Sequence, residues 1–121
     1  MMQILIVDDD ASFRRSLSIG LEDEGYLCFE ASGVMEALAL LRKHSQNDDR
    51  IKGVVVDARM PGLDGFWLAD QLSILYPYLK VVILSAHAYP EKSGRYSVMT
   101  KPIKIPKLKE FFKQEACVSC D

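Results

Sequence analysis

Short strand-like segments alternate with helical patterns along the whole chain. Residues 3–7, 26–30, 53–56, 80–84 and 97–100 are rich in Val, Ile, Leu or aromatic residues, a composition typical of strands. Apolar residues at helical spacing form four stripes: Phe13, Leu17 and Leu21; Val34, Ala37, Leu38 and Leu41; Phe66, Ala69, Leu72 and Leu75; and Leu108, Phe111 and Phe112. This alternation predicts βαβ units, and therefore a parallel sheet with helices on both faces.

Signals for the starts of helices support this division. Asp10, Ser32 and Asp64 each stand just before a helical stripe, where a side-chain oxygen can accept a hydrogen bond from the first turn. Pro106 is suited to the first turn of the last helix. We therefore predict that these four positions mark helix starts.

Size and composition indicate one domain. A chain of 121 residues with 49% hydrophobic and 26% charged residues is expected to bury a single core. Its net charge of -2 gives no general electrostatic reason to bind nucleic acid or a membrane, and residues 1–10 match neither a signal peptide nor a membrane span, so we expect a cytoplasmic protein. Lysines at 104, 107, 109 and 113 are interpreted as the solvated face of the last helix rather than as a nucleic-acid site.

The three cysteines do not predict a disulfide framework. Cys28 falls inside a predicted strand, and Cys117 and Cys120 form a CxxC motif at the end of the chain, without a second pair of ligands nearby. We expect residues 1–116 to form the domain and residues 117–121 to be a disordered or frayed tail.

Polar residues cluster where the predicted strands end. They are Asp8, Asp9 and Asp10 after the first strand, Asp57 after the third, Ser85 after the fourth, and Lys101 after the fifth. In a parallel sheet these positions meet at one edge, where ligands bind. Oxygen ligands of this kind suit Mg²⁺, and a hydroxyl with an ammonium group can donate to the oxygens of a phosphoryl group.

The sequence resembles the receiver domain of bacterial two-component response regulators over nearly its whole length. The motifs that carry the resemblance are ILIVDDD, VVVDARMPGLDG, VVILSA and TKP, in that order. The resemblance implies a flavodoxin-like (βα)5 fold, a doubly wound sheet of five parallel strands. It also implies a signalling role rather than a metabolic one, in which the domain catalyses only its own phosphorylation and slow dephosphorylation.

The resemblance also implies a role for each site residue. Asp57 accepts a phosphoryl group from a phosphohistidine on a sensor histidine kinase or a histidine phosphotransfer protein, and so switches the binding of an output partner. Asp8, Asp9, Asp57 and the backbone carbonyl of Arg59 hold Mg²⁺, with Asp8 acting largely through water. Ser85 donates a hydrogen bond to the phosphoryl group and Lys101 pairs with it, while the Lys101–Pro102 peptide is cis. Asp10 has no role beyond capping.

Two departures from the family pattern concern the switch. Only residues 86–96 remain between the fourth and fifth strands, and they include Pro90 and Gly94 without an apolar stripe, so we predict that the fourth helix is lost or cut to about one turn. The position three before Lys101, usually aromatic in the family, is Val98 here. Tyr96 stands two residues away on the same strand face and could replace that aromatic, although ordinary packing or exposure is the favoured interpretation.

Two alternatives stay open from the sequence. The first is a receiver-fold interaction module that binds its partner without phosphorylation, which the shortened helix and Val98 would favour. The second is a phosphatase with an aspartyl nucleophile, and it is disfavoured because enzymes of the haloacid dehalogenase type need an acid two residues after the nucleophile, where this chain has Arg59. The sequence also leaves open whether the chain is a stand-alone receiver or a piece of a longer protein.

Overall fold

The computed structural model describes residues 2–46, 49–86 and 96–113. Its strands are β1 (Gln3–Val7), β2 (Leu27–Ala31), β3 (Ile51–Asp57), β4 (Arg59–Met60), β5 (Leu63–Asp64), β6 (Lys80–Ser85) and β7 (Ser97–Thr100). The helices in these residues are α1 (Ala11–Asp23), α2 (Val34–Lys43), α3 (Gly65–Leu75) and α4 (Ile105–Lys113). None of these helices is long and apolar enough to span a bilayer.

Five strands form one parallel sheet in the order β2-β1-β3-β6-β7, and β4 pairs with β5 in a small antiparallel hairpin. Successive side chains of a strand point to opposite faces, so neighbouring residues enter different cores. Val54 and Val56 pack with α2 and α3, whereas Val55 packs with α1 and α4. Burial on both faces explains why the strands are almost continuously apolar. The predicted doubly wound, flavodoxin-like sheet of five parallel strands is confirmed.

Two of the three predicted side-chain caps are confirmed. An Asp10 side-chain oxygen accepts hydrogen bonds from the first turn of α1, and an Asp64 side-chain oxygen accepts one from the first turn of α3. The prediction for Ser32 was wrong, because the N-cap of α2 is Gly33. Instead, the backbone N–H and the hydroxyl of Ser32 donate to Glu36 Oε1 at 2.6 and 2.8 Å. These hydrogen bonds lower the pKa of Glu36, the backbone bond contributing most.

The apolar stripe of α3 is shorter than predicted. Ala69 and Leu72 are fully buried, but Leu75 is 56% exposed. Leu75 is the last residue of the helix, so the chain turns away there before the side chain can reach the core. Trp67 and Ile74 are also exposed on this helix, at 50% and 71%.

The two departures that bear on the switch lie near β7. The prediction of a lost or shortened fourth helix concerns residues 87–95, which lie outside the described residues. Val98 is partly buried, pairs with Ile83 of β6, and packs on the α2 and α3 side of the sheet. Tyr96 packs against the same core, and its hydroxyl donates a hydrogen bond to Asp70 of α3.

Candidate functional site

The site lies at the carboxyl edge of the parallel sheet. Asp8 and Asp9 follow β1, and Asp57 is the last residue of β3. Because Val7 pairs with Val56 in the register of β1 and β3, these acids stand side by side. Ser85 is the last residue of β6. In the pairing of β3 with β6, Asp57 is opposite Leu84, one residue before Ser85. The strands therefore bring together the residues that the sequence placed at this edge.

The carboxylates of Asp8, Asp9 and Asp57 form a close cluster. One carboxylate oxygen from each side chain lies within 4.8 Å of one from each of the other two. Asp8 is only 2% exposed, and this burial raises its pKa, to which the charge of Asp57 adds. A hydrogen bond from the Asp10 N–H and the charge of Lys101 act in the opposite direction without cancelling the effect. Ionised Asp8 is therefore poorly compensated by the protein's own groups.

Lys101 directly follows β7, and its side chain reaches into this cluster. Its Nζ lies 3.3 Å from Asp57 Oδ1 and 3.4 Å from Asp8 Oδ2. The backbone N–H of Lys101 donates to the carbonyl of Ser85 at 2.7 Å, which fixes where the side chain begins. The Lys101–Pro102 peptide is cis, as the family resemblance implied. The residue following β7 thus supplies a cation that contacts two of the three carboxylates.

Arg14 supports the end of β1 from α1, a role that sequence reasoning missed. Its Nη1 donates to the backbone carbonyl of Asp8 at 2.6 Å, and its Nε donates to Glu30 Oε1 at 3.0 Å. Arg15 also contacts Glu30, at 3.3 Å, but its side chain is 70% exposed compared with 16% for Arg14. Arg14 therefore joins the end of β1 to β2 through a largely buried guanidinium group.

Gly65 supports Asp57 from the start of α3. The Ala58 N–H donates to the Leu84 carbonyl at 2.7 Å, and the Gly65 N–H donates to the Ala58 carbonyl at 2.9 Å. The hairpin of β4 and β5 therefore brings the start of α3 back to the end of β3. A Cβ on Gly65 would stand 2.2 Å from the carbonyl oxygen of Asp57. Only glycine allows this approach. The available signal was the glycine directly after the capping Asp64, at the first position of the helix.

The donor set fits a hard divalent cation. The cluster offers only oxygen ligands, all three side chains are acids, and burial leaves Asp8 without sufficient compensation. Mg²⁺ is bound in proteins by one or two carboxylates together with water and phosphate oxygens. The arrangement can therefore hold such an ion beside a carboxylate and an ammonium group.

Comparison with known proteins identifies the family. Residues 4–113 match the model of the response regulator receiver domain. The chain belongs to this family. This receiver domain is 32% identical over 106 residues to the transcriptional regulatory protein GlrR of Escherichia coli, covering 83% of the chain and 23% of that protein. It is 35% identical over 115 residues to the sensor histidine kinase RcsC of Salmonella typhi, covering 90% of the chain and 12% of that protein.

Solved structures agree with this assignment. The response regulator TrrA of Thermotoga maritima, solved in complex with Mg(2+)-BeF, has a TM-score of 0.77 and 29% identity, covering 93% of this chain and 97% of that one. The chemotaxis protein CheY4 of Vibrio cholerae has a TM-score of 0.80 and 26% identity, with the same coverage of both chains. The receiver domain spans less than a quarter of the full length of GlrR and of RcsC. The resemblance seen in the sequence is confirmed, whereas the roles of the individual site residues stay predictions.

Proposed function

We propose that this receiver domain accepts a phosphoryl group on Asp57 from a phosphohistidine and thereby switches the binding of an output partner. The observation that carries the proposal is the position of Asp57. Its carboxylate is 11% exposed at the end of β3, lies 3.3 Å from Lys101 Nζ, and belongs to a cluster of three acids. A carboxylate in that setting is reachable by a donor and is surrounded by groups that can neutralise the charge of a phosphoryl group.

The transfer exchanges one bond to phosphorus for another. An oxygen of the Asp57 carboxylate attacks the phosphorus, the bond from phosphorus to the imidazole nitrogen breaks, and the electron pair returns to that nitrogen. Lys101, whose Nζ lies 3.3 Å from Asp57 Oδ1, would pair with the transferred oxygens, and the buried Ser85 hydroxyl at the end of β6 would donate a hydrogen bond to them. The same groups would serve the slow hydrolysis of the acyl phosphate.

Asp8, Asp9 and Asp57 would hold Mg²⁺, together with the backbone carbonyl of Arg59, which lies two residues after Asp57 in β4. Bound there, the ion would offset negative charge on the phosphoryl oxygens. Asp8 is the deepest of the three acids, and by its resemblance to the family we assign it to act on the ion largely through water.

The family supports the proposed phosphoryl donor. Homologues include a sensor histidine kinase and response regulators, which supports a histidine kinase or a histidine phosphotransfer protein as the donor. We assign the exchange to the cytoplasm and to the domain formed by residues 1–116. The acyl phosphate carries about -1.5 to -2 charges and three acceptor oxygens where the carboxylate carried a single charge, and this change would rearrange neighbouring hydrogen bonds and so alter a binding surface.

Mass spectrometry after incubation with acetyl phosphate tests the proposal. With Mg²⁺ present, we expect the chain to gain the mass of one phosphoryl group on a peptide that contains Asp57, and to gain none when EDTA is added. Asp57→Asn is expected to abolish labelling. Asp64→Asn is the matched control, because it removes a nearby carboxylate but keeps the cap of α3, since Asn caps as well as Asp.

Labelling that persists in Asp57→Asn, or that never appears in the wild type under these conditions, would refute the proposal. In the second case, a partner that binds wild type and Asp57→Ala equally well would favour the interaction module that acts without phosphorylation. Hydrolysis of a phosphate monoester with multiple turnovers would instead favour a phosphatase.

A further inference from the structure

Phe13 makes a contact with Lys101 that the proposed chemistry does not use. The Lys101 Nζ lies over the Phe13 ring, 4.3 Å from its centroid. The same Nζ lies 3.3 Å from Asp57 and 3.4 Å from Asp8, so one ammonium group contacts two carboxylates and one aromatic face. Phe13 stands at the third position of α1, and its N–H donates to the capping Asp10 at 3.2 Å. The capped turn thus fixes the backbone that carries the ring.

An aromatic face attracts a cation without neutralising it. The attraction is electrostatic, depends on the electron density of the ring, and is strongest when the cation is shielded from water. The Lys101 side chain is 23% exposed, so this ammonium group is largely shielded. A carboxylate partner would compete with a phosphoryl group for the N–H donors of Lys101, whereas a ring competes far less.

We infer that Phe13 is a positioning residue, whose ring holds the Lys101 ammonium group beside Asp57 through a cation–π contact. The inference rests on the proposed function, because the benefit is a lysine kept ready for the oxygens of an incoming phosphoryl group. When the charge at Asp57 changes, the ring keeps the lysine at the edge of the sheet. A simpler interpretation is that Phe13 only packs, since it also contacts the core that α1 and α4 share.

Fluorinated phenylalanines at position 13 separate the two interpretations. Fluorine withdraws electron density from the ring face while nearly keeping its shape and apolar character, so a packing role predicts little change. We expect the initial rate of labelling by acetyl phosphate and Mg²⁺ to fall stepwise from Phe to 4-fluoro- to 3,4,5-trifluorophenylalanine. Phe13→Leu is expected to lower the rate by about threefold to tenfold.

Phe111→Leu is the matched control. It removes a similar contact, in which Lys80 Nζ lies 4.8 Å from the Phe111 ring centroid. Lys80 is the first residue of β6, at the opposite edge of the sheet from Asp57, so the labelling rate should not change. A Phe111→Leu variant as slow as Phe13→Leu would overturn the inference, because the loss would then reflect general packing.

A second measurement detects the contact without any labelling. Protons above a ring face resonate upfield, so the Lys101 side-chain methylene signals should move downfield in Phe13→Leu and stay in place in Phe111→Leu. The absence of that shift would refute the contact itself. A labelled wild type with equal rates across the fluorinated series would refute the positioning role alone, whereas an unlabelled wild type would refute the proposed function and the positioning role together.

Discussion

Gly65→Ala is the substitution that the structure predicts most sharply. The added Cβ would lie 2.2 Å from the Asp57 carbonyl oxygen and 2.9 Å from Ala58 Cα, both of them backbone atoms. Ordinary contact begins near 3.4 Å, so the end of β3 and the start of α3 must separate by about 1.2 Å. The 2.9 Å hydrogen bond from the Gly65 N–H to the Ala58 carbonyl spans that gap and would be lost.

The expected loss of stability combines these two effects. Overpacking of this kind costs about 1–3 kcal/mol and a lost backbone hydrogen bond about 1 kcal/mol, while the better helix propensity of Ala recovers up to about 1 kcal/mol. The free energy of unfolding should therefore fall by about 2 kcal/mol, which corresponds to a decrease in Tm of roughly 6–10 °C for a chain of this size. Urea unfolding followed by far-UV circular dichroism measures the change.

Gly33→Ala is the matched control for this experiment. No atom lies within 4 Å of a Cβ built on Gly33, and its backbone is extended. Ala is a poorer N-cap than Gly but lowers the entropy of the unfolded chain, and because these effects oppose each other the free energy of unfolding should change by less than about 1 kcal/mol. Equal stability of Gly65→Ala and the wild type would refute the close approach between α3 and Asp57. If Gly33→Ala lost as much unfolding free energy as Gly65→Ala, the loss could not be assigned to the close approach at Gly65.

Three further substitutions and one chemical modification test the burial of individual side chains. Burial raises the pKa of Asp8 above 3.8, so protonated Asp8 favours the folded state at low pH, and this contribution is lost as the pH rises through the folded pKa. Asp8→Asn should therefore stabilise the metal-free protein at neutral pH, and urea unfolding at a series of pH values should show that this gain vanishes near pH 3.8. Arg14→Ala should lower the free energy of unfolding by about 1–3 kcal/mol, whereas Arg15→Ala should lower it by less than about 1 kcal/mol, because the ion pair of Arg15 with Glu30 is exposed. Equal losses in urea unfolding would contradict the difference in burial. Burial raises the pKa of Cys28 to about 12, so peptide mapping should show slow alkylation of this thiol by iodoacetamide in the folded protein and fast alkylation in urea.

The fold was predictable because two periodicities alternate along the chain. β1 and β7 were predicted to the residue, whereas β2 was placed one residue early and β3 was predicted too short. Such errors arise at strand ends, where pairing with a neighbour rather than local composition decides the last residue. The start of helix α2 was equally hard to predict. Ser32 and Gly33 can both act as the N-cap, and the hydrogen bond from the Ser32 N–H to Glu36 decides between them.

The acids and the lysine of the site were predictable because each ends or follows a strand, and parallel strands end at one edge. The supporting residues were not, because their contacts join elements that are distant in sequence. Arg14 contacts Asp8 and Glu30 only once α1 has docked beside β2, and Phe13 contacts Lys101 across 88 positions of the chain. Periodicity identifies which face of α1 is apolar, but not which residue of that face meets a charge.

The charges at the edge of the sheet indicate why the proposed phosphorylation needs a divalent cation. Three carboxylates face one ammonium group in the described part of the site, so the protein's own charges leave an excess of negative charge when all are ionised. The pKa of Asp8 is raised mainly by burial, and the charge of Asp57 adds to that effect. An acyl phosphate on Asp57 would carry about -1.5 to -2 charges in place of the single negative charge of the carboxylate, so the excess that one lysine does not offset becomes larger. Phosphorylation at this site should therefore depend on a divalent cation for its equilibrium as well as for its rate. In the inferred positioning role, the Phe13 ring would hold the Lys101 ammonium group at this edge without adding a further negative charge.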